Sequence, residues 1–102
     1  MTRREKLEAM LAEAPRDPFL RYALALSHSS EGNAAEARQR LAALLEDDPH
    51  YVPAYLQLAQ LIVETGQTDQ AKPVLLRGIE AARRSGDAHA EGELRGLLDQ
   101  LP

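Results

Sequence analysis

The side chains of this sequence that could do chemistry are three histidines, a run of carboxylates and a group of arginines. His28, His50 and His89 stand more than twenty residues apart, and none is expected to find a second metal ligand one helical turn away. His28 falls on the apolar register of its helix, so the expectation there is a packed histidine with a hydrogen-bond partner. Glu46, Asp47 and Asp48 have the composition of a cation site or an acid/base pair. Followed directly by Pro49, they read instead as a solvated turn in which Asp48 serves as a cap. Arg77, Arg83 and Arg84 lie late in a helix, where the macrodipole favours cations by about 0.3–1 kcal/mol each, which accounts for them without an anion or nucleic-acid patch.

Nucleophiles and cofactor cradles are missing as well. There is no cysteine, which removes disulfides, thiolate metal sites and thiol nucleophiles together and suits a reducing compartment. The six glycines are isolated and form no phosphate loop, and no G-x-S-x-G elbow occurs. No catalytic residue, metal or cofactor is therefore expected, and the chain reads as a non-enzyme.

The elements that carry these residues follow from composition. In 102 residues, one domain's worth, Ala and Leu supply seventeen each while Val, Ile and Thr together supply eight, so the apolar content sits in helix formers. An all-α fold is expected. The formal net charge of −4 opposes phosphate attraction, so no nucleic-acid partner is expected. Apolar runs such as Leu61-Ile62-Val63 fall far short of the ~20 residues a membrane span needs, and Met1 to Pro15 has no apolar stretch of the signal-peptide kind. A cytoplasmic location with no membrane association is the expectation.

Shifting the chain by 34 residues aligns Pro15 with Pro49, Leu24 with Leu58, Ala25 with Ala59, Gly32 with Gly66, Ala37 with Ala71 and Leu41 with Leu75. Lys6, Leu7, Met10 and Leu11 fall opposite Arg40, Leu41, Leu44 and Leu45, so the repeat reaches back into the first segment. Gly32-Asn33 and Gly66-Gln67 read as turns between two helices. Asn33 with Glu36 has the form of a capping box, and Asp17 before Pro18 that of an N-cap before the first helical position. Helices are predicted at about 3–13, 17–30, 34–46, 51–64, 69–84 and 88–100, antiparallel to their neighbours because every connection is short. Pro73 removes a backbone donor about a turn inside its helix, which should start late or bend there.

A 34-residue helix-turn-helix unit with this spacing resembles the tetratricopeptide repeat. Tyr55, Leu58, Ala59, Ile62, Ala71 and Leu75 match the family pattern closely in the second unit. In the first, Leu24, Ala25, Ala37, Leu41 and Pro49 match, but Arg21 stands where an aromatic is expected, His28 where a large apolar residue is, and Leu44 where a small one is. Gly78 fills the corresponding small position of the second unit. The order of elements resembles small stand-alone bacterial members of the family: a half-repeat over residues 3–15, repeats over 16–49 and 50–85, and a capping helix over 87–101. Leu94, Leu97, Leu98 and Leu101 give that last helix one apolar stripe, and its other face carries His89, Gly92, Gly96 and Asp99. The two glycines form a notch against which a partner, a second copy or the groove edge could lie.

The resemblance implies a superhelix whose concave face is lined by the first helix of each unit. Opposite the packed face, the first unit carries Phe19, Tyr22, Leu26 and Ser29, and the second Pro53, Leu56, Gln60 and Val63. This apolar stripe is the candidate partner site, with the terminal helices folding over it as the competing explanation. If these residues are surface contacts, truncating Tyr22 and Leu56 should barely alter stability. The lysine and asparagine clamp with which some family members hold a terminal carboxylate is absent, since the only asparagine is the turn residue Asn33. The expected function is a protein-interaction module binding a peptide or partner helix. The second expectation is a structural homo-oligomer, such as a homodimer, with the groove filled by another copy.

Overall fold

Two glycines with left-handed backbones set the repeat. The computed structural model describes residues 1–102 as six helices with no strand: α1 Arg3–Glu13, α2 Pro18–Ser30, α3 Ala34–Asp47, α4 Val52–Glu64, α5 Thr68–Ser85 and α6 Ala88–Gln100. Gly32 (φ 84°) ends α2 and Gly66 (φ 80°) ends α4, a conformation that a Cβ would strain. The same hydrogen bond closes both turns: Asn33 N–H donates to the His28 carbonyl at 2.9 Å and Gln67 N–H to the Ile62 carbonyl at 3.2 Å. The chain can then fold back, so α2 packs on α3 and α4 on α5, while α3–α4, α5–α6 and α1–α2 contacts stack the units.

The core lies where the sequence puts small residues. Ala25, Ala37, Ala59 and Ala71 are fully buried with Leu41 and Leu75, and they belong to one continuous apolar cluster that reaches Leu94 on α6. Small side chains let the helix backbones approach, and the leucines fill the ridges between them.

The irregular positions of the first unit form a matched pair. In the second unit Tyr55 is buried and its hydroxyl donates to the Pro49 carbonyl at 2.7 Å, holding α4 to the inter-repeat turn. Its ring needs the space left by Gly78, where a Cβ would stand 2.6 Å from Tyr55 Cβ, 2.9 Å from Cγ and 3.2 Å from Leu94 Cδ1. One repeat earlier both partners change. Arg21 replaces the tyrosine and reaches out to Asp47 at 2.9 Å, while Leu44 replaces the glycine and is completely buried. A large residue on one helix with a small one on the other has become the reverse, and the interior stays filled.

Two local expectations, for His28 and Asn33, are corrected, and one of the two alternatives for Pro73 falls. His28 is buried (8% exposed), but neither ring nitrogen has a hydrogen-bond partner, so it occupies the position of Ile62 as a volume filler with unsatisfied polar atoms. Asn33 makes no side-chain cap, because its backbone already closes the glycine turn and Glu36 pairs with Arg40 at 2.8 Å. The capping box occurs instead at Thr2 and Glu5, at the start of α1. Pro73 does not delay its helix, which starts at Thr68 and runs through the proline. Asp48 is a cap, as expected: it ends α3, and its backbone N–H donates to the Leu44 carbonyl at 2.7 Å. Asp17 does cap α2, accepting from Leu20 N–H at 3.1 Å.

Glycines inside helices should respond oppositely to replacement. Gly78→Ala forces a Cβ into the Tyr55 ring, and overpacking of about 1–3 kcal/mol outweighs the gain in helix propensity, so the melting temperature falls. Gly92 and Gly96 face open space, so alanine at each should add about 1 kcal/mol. His28→Leu removes two unsatisfied nitrogens and should raise stability by about 1 kcal/mol or more in a denaturant titration.

Candidate functional site

The first helix of each unit, α2, α4 and then α6, faces the same side, and their N-terminal ends wall a cleft of about 300 Å³. Tyr22 comes from α2, and Val52, Pro53, Leu56 and Gln57 come from α4. The third wall is α6 with Ala90, Leu94, His89 and Glu93, joined by its cap Asp87. Proline in the first turn of α4 costs no hydrogen bond and presents its ring to the cleft.

The floor is aromatic and aliphatic. The Tyr22 ring lies 5.4 Å from that of Tyr51 at 53°, a tilted pair. Burial raises the Tyr22 hydroxyl above its ordinary pKa, with a hydrogen bond to Gln57 acting the other way. The Tyr51 hydroxyl is raised by burial, and further by Tyr22, Asp17 and Asp48. Both phenols therefore stay protonated donors at neutral pH. On the rim, Asp87 accepts from Ala90 N–H at 3.0 Å and Glu93 lies 3.4 Å from His89. That last contact corrects the expectation that no histidine has a ligand-type neighbour a turn away, but the imidazole is exposed and no cluster of three His, Asp or Glu side chains suited to a metal ion is present.

Of the eight residues named from sequence, Tyr22, Pro53 and Leu56 line the cleft. Phe19 is 63% exposed on α2 outside it, Gln60 is exposed, and Leu26, Ser29 and Val63 are half-buried farther along the same helices. Tyr22 and Leu56 also pack against the core, so they are not free surface contacts. Sequence reasoning weighed α6 only as a cover over the stripe, and did not name its residues as a wall of the cleft. Its signal was present, since helices alternate roles along the chain and α6 is the first helix of a third unit, but the lost 34-residue register hid it. Gly92 and Gly96 have nothing near them in the chain, so the groove edge does not use the notch.

A tetratricopeptide repeat family model matches residues 28–91, more than half the chain. The chain is a tetratricopeptide repeat protein. A TPR repeat-containing protein of Pseudomonas aeruginosa is 30% identical over 97 residues, covering 95% of this chain and 92% of its own length. The crystal structure of a tetratricopeptide repeat domain protein from Salinibacter ruber is 40% identical over 79% of this chain and 90% of that one, with a TM-score of 0.76. The solution structure of a Bordetella parapertussis protein matches 98% of this chain and 87% of its own, at 29% identity and a TM-score of 0.83. That likeness spans α1 and α6, so the flanking helices recur with the repeats.

A second depression, of about 570 Å³, opens between the end of α1, α2 and α3, with Arg16, Arg21, Arg40 and Asp47 among its walls. Arg21 and Arg40 are already ion-paired, to Asp47 and Glu36, and it has no aromatic floor. No helix of this tetratricopeptide repeat chain is long and apolar enough to cross a membrane.

Because Leu56 bridges cleft and core, Leu56→Ala should lower stability by about 1–3 kcal/mol, less than a fully buried leucine. Phe19→Ala, at a largely exposed position, should stay within about 0.5 kcal/mol of wild type. Thermal melts of the two variants separate floor from rim.

Proposed function

We propose that the protein is a non-enzymatic interaction module of the cytoplasm that holds a peptide or partner helix in the groove formed by α2, α4 and α6. The observation that carries this reading is the open cleft on the face of the first helices, where Tyr22 and Leu56, although they also pack against the core, still present apolar surface beside Pro53. Tyr22, Pro53 and Leu56 form its centre. Phe19, Leu26, Ser29, Gln60 and Val63 extend the contact surface along α2 and α4. Tetratricopeptide repeats as a class mediate protein–protein contacts, which supports a protein partner.

Photo-crosslinking from Pro53, in the cleft, and from Leu76, exposed on α5, tests the reading. Crosslinks to one or few foreign proteins from Pro53 and not from Leu76 are expected. Crosslinks from Pro53 to the chain itself, with a sedimentation coefficient that rises with concentration, would give the homo-oligomer reading instead.

A further inference from the structure

The charge of the cleft is one-sided, and it names the kind of segment that would sit there. Nine of the twelve basic side chains lie on α1, α3 and α5, the helices that do not wall the groove. Within the groove helices, α4 has no Lys or Arg, α2 has only Arg21, and α6 only Arg95. Arg21 is held by Asp47 on the side facing α3, and Arg95 by Glu91 at 3.0 Å, and neither lines the cleft. Carboxylates do line it: Asp87 and Glu93 stand on the α6 wall opposite Tyr22 and Leu56. Asp17, the N-cap of α2, stands outside this lining. His89 is the one lining group able to add positive charge, and it already neighbours Glu93.

We infer that the groove takes a basic amphipathic segment of another protein, with an apolar side chain on the Tyr22–Leu56 floor and Lys or Arg heads against Asp87 and Glu93. This rests on the groove reading above and adds the chemistry of the occupant. An acidic segment would set like charges against two carboxylates with no cation in the cleft to receive them, whereas a basic one meets complementary potential. Tyr22, the aromatic side chain of the lining, adds a ring face to which a guanidinium or ammonium is attracted. Helices present such segments as i, i+3, i+4 apolar anchors with cations beside them.

Fluorescence anisotropy with two labelled helical peptides, identical in their leucine face but carrying lysine or glutamate elsewhere, tests this with the whole chain. The lysine peptide should bind at least about tenfold more tightly, and the difference should shrink at high salt. Asp87→Asn with Glu93→Gln, which keeps a capping side chain on α6, should bring the two affinities close together. Glu13→Gln with Asp99→Asn changes net charge equally at exposed residues outside the cleft and should leave the preference intact. Equal or tighter binding of the glutamate peptide, or an equal loss with the control pair, overturns the inference while leaving the groove reading standing. If neither peptide binds the folded protein, the groove reading falls and the inference with it.

Discussion

Where α4 crosses α5, Tyr55 lies against the backbone of Gly78, and Leu94 of α6 closes over the same spot. Much of the structure depends on this approach. It sets the separation of the two helices of the second repeat, fixes where α6 docks, and so decides how wide the cleft is between α4 and α6. The hydroxyl of the same tyrosine holds the preceding turn through Pro49, so one side chain joins an intra-repeat contact, an inter-repeat turn and the capping helix. The first repeat solves the same geometrical problem with Leu44 inside and Arg21 turned outward, and its arginine then helps shape the depression between α1 and α3.

The distribution of charge follows from the same two-layer plan. Second helices carry most of the arginines and lysines, tied into pairs such as Arg40–Glu36 and Arg84–Glu80 at the i, i+4 spacing. First helices are nearly free of cations and expose apolar and aromatic groups between carboxylates. Asp17 and Asp87 serve the fold as N-caps, and Asp87 also lines the cleft beside Glu93. The cap of α6 and the wall of the cleft therefore share a residue.

His28 shows what the core tolerates. Burying an imidazole with both nitrogens unpaired is unfavourable, yet its bulk fills the site that Ile62 fills one repeat later. Repeat proteins accept such a defect because each unit is held by its neighbours on both sides.

The 34-residue register, the glycine turns and the Ala/Leu composition determined the all-α class, the repeat family and six helix positions to within a residue or two, because turn chemistry and helical periodicity are local. Sequence also brought Tyr22, Pro53 and Leu56 to the groove, since i, i+3 and i+4 spacing fixes which side of a helix a residue occupies. Three things waited for the tertiary structure. The exchange of Tyr55 and Gly78 for Arg21 and Leu44 reads as two unrelated departures until the helices are laid side by side. The unsatisfied state of His28 depends on what surrounds it, which periodicity does not specify. Asp87, His89 and Glu93 joined the cleft only through the docking of α6, whose register drifts from the repeat. Contacts between residues more than thirty positions apart are set by how the helices pack, and no local pattern encodes them.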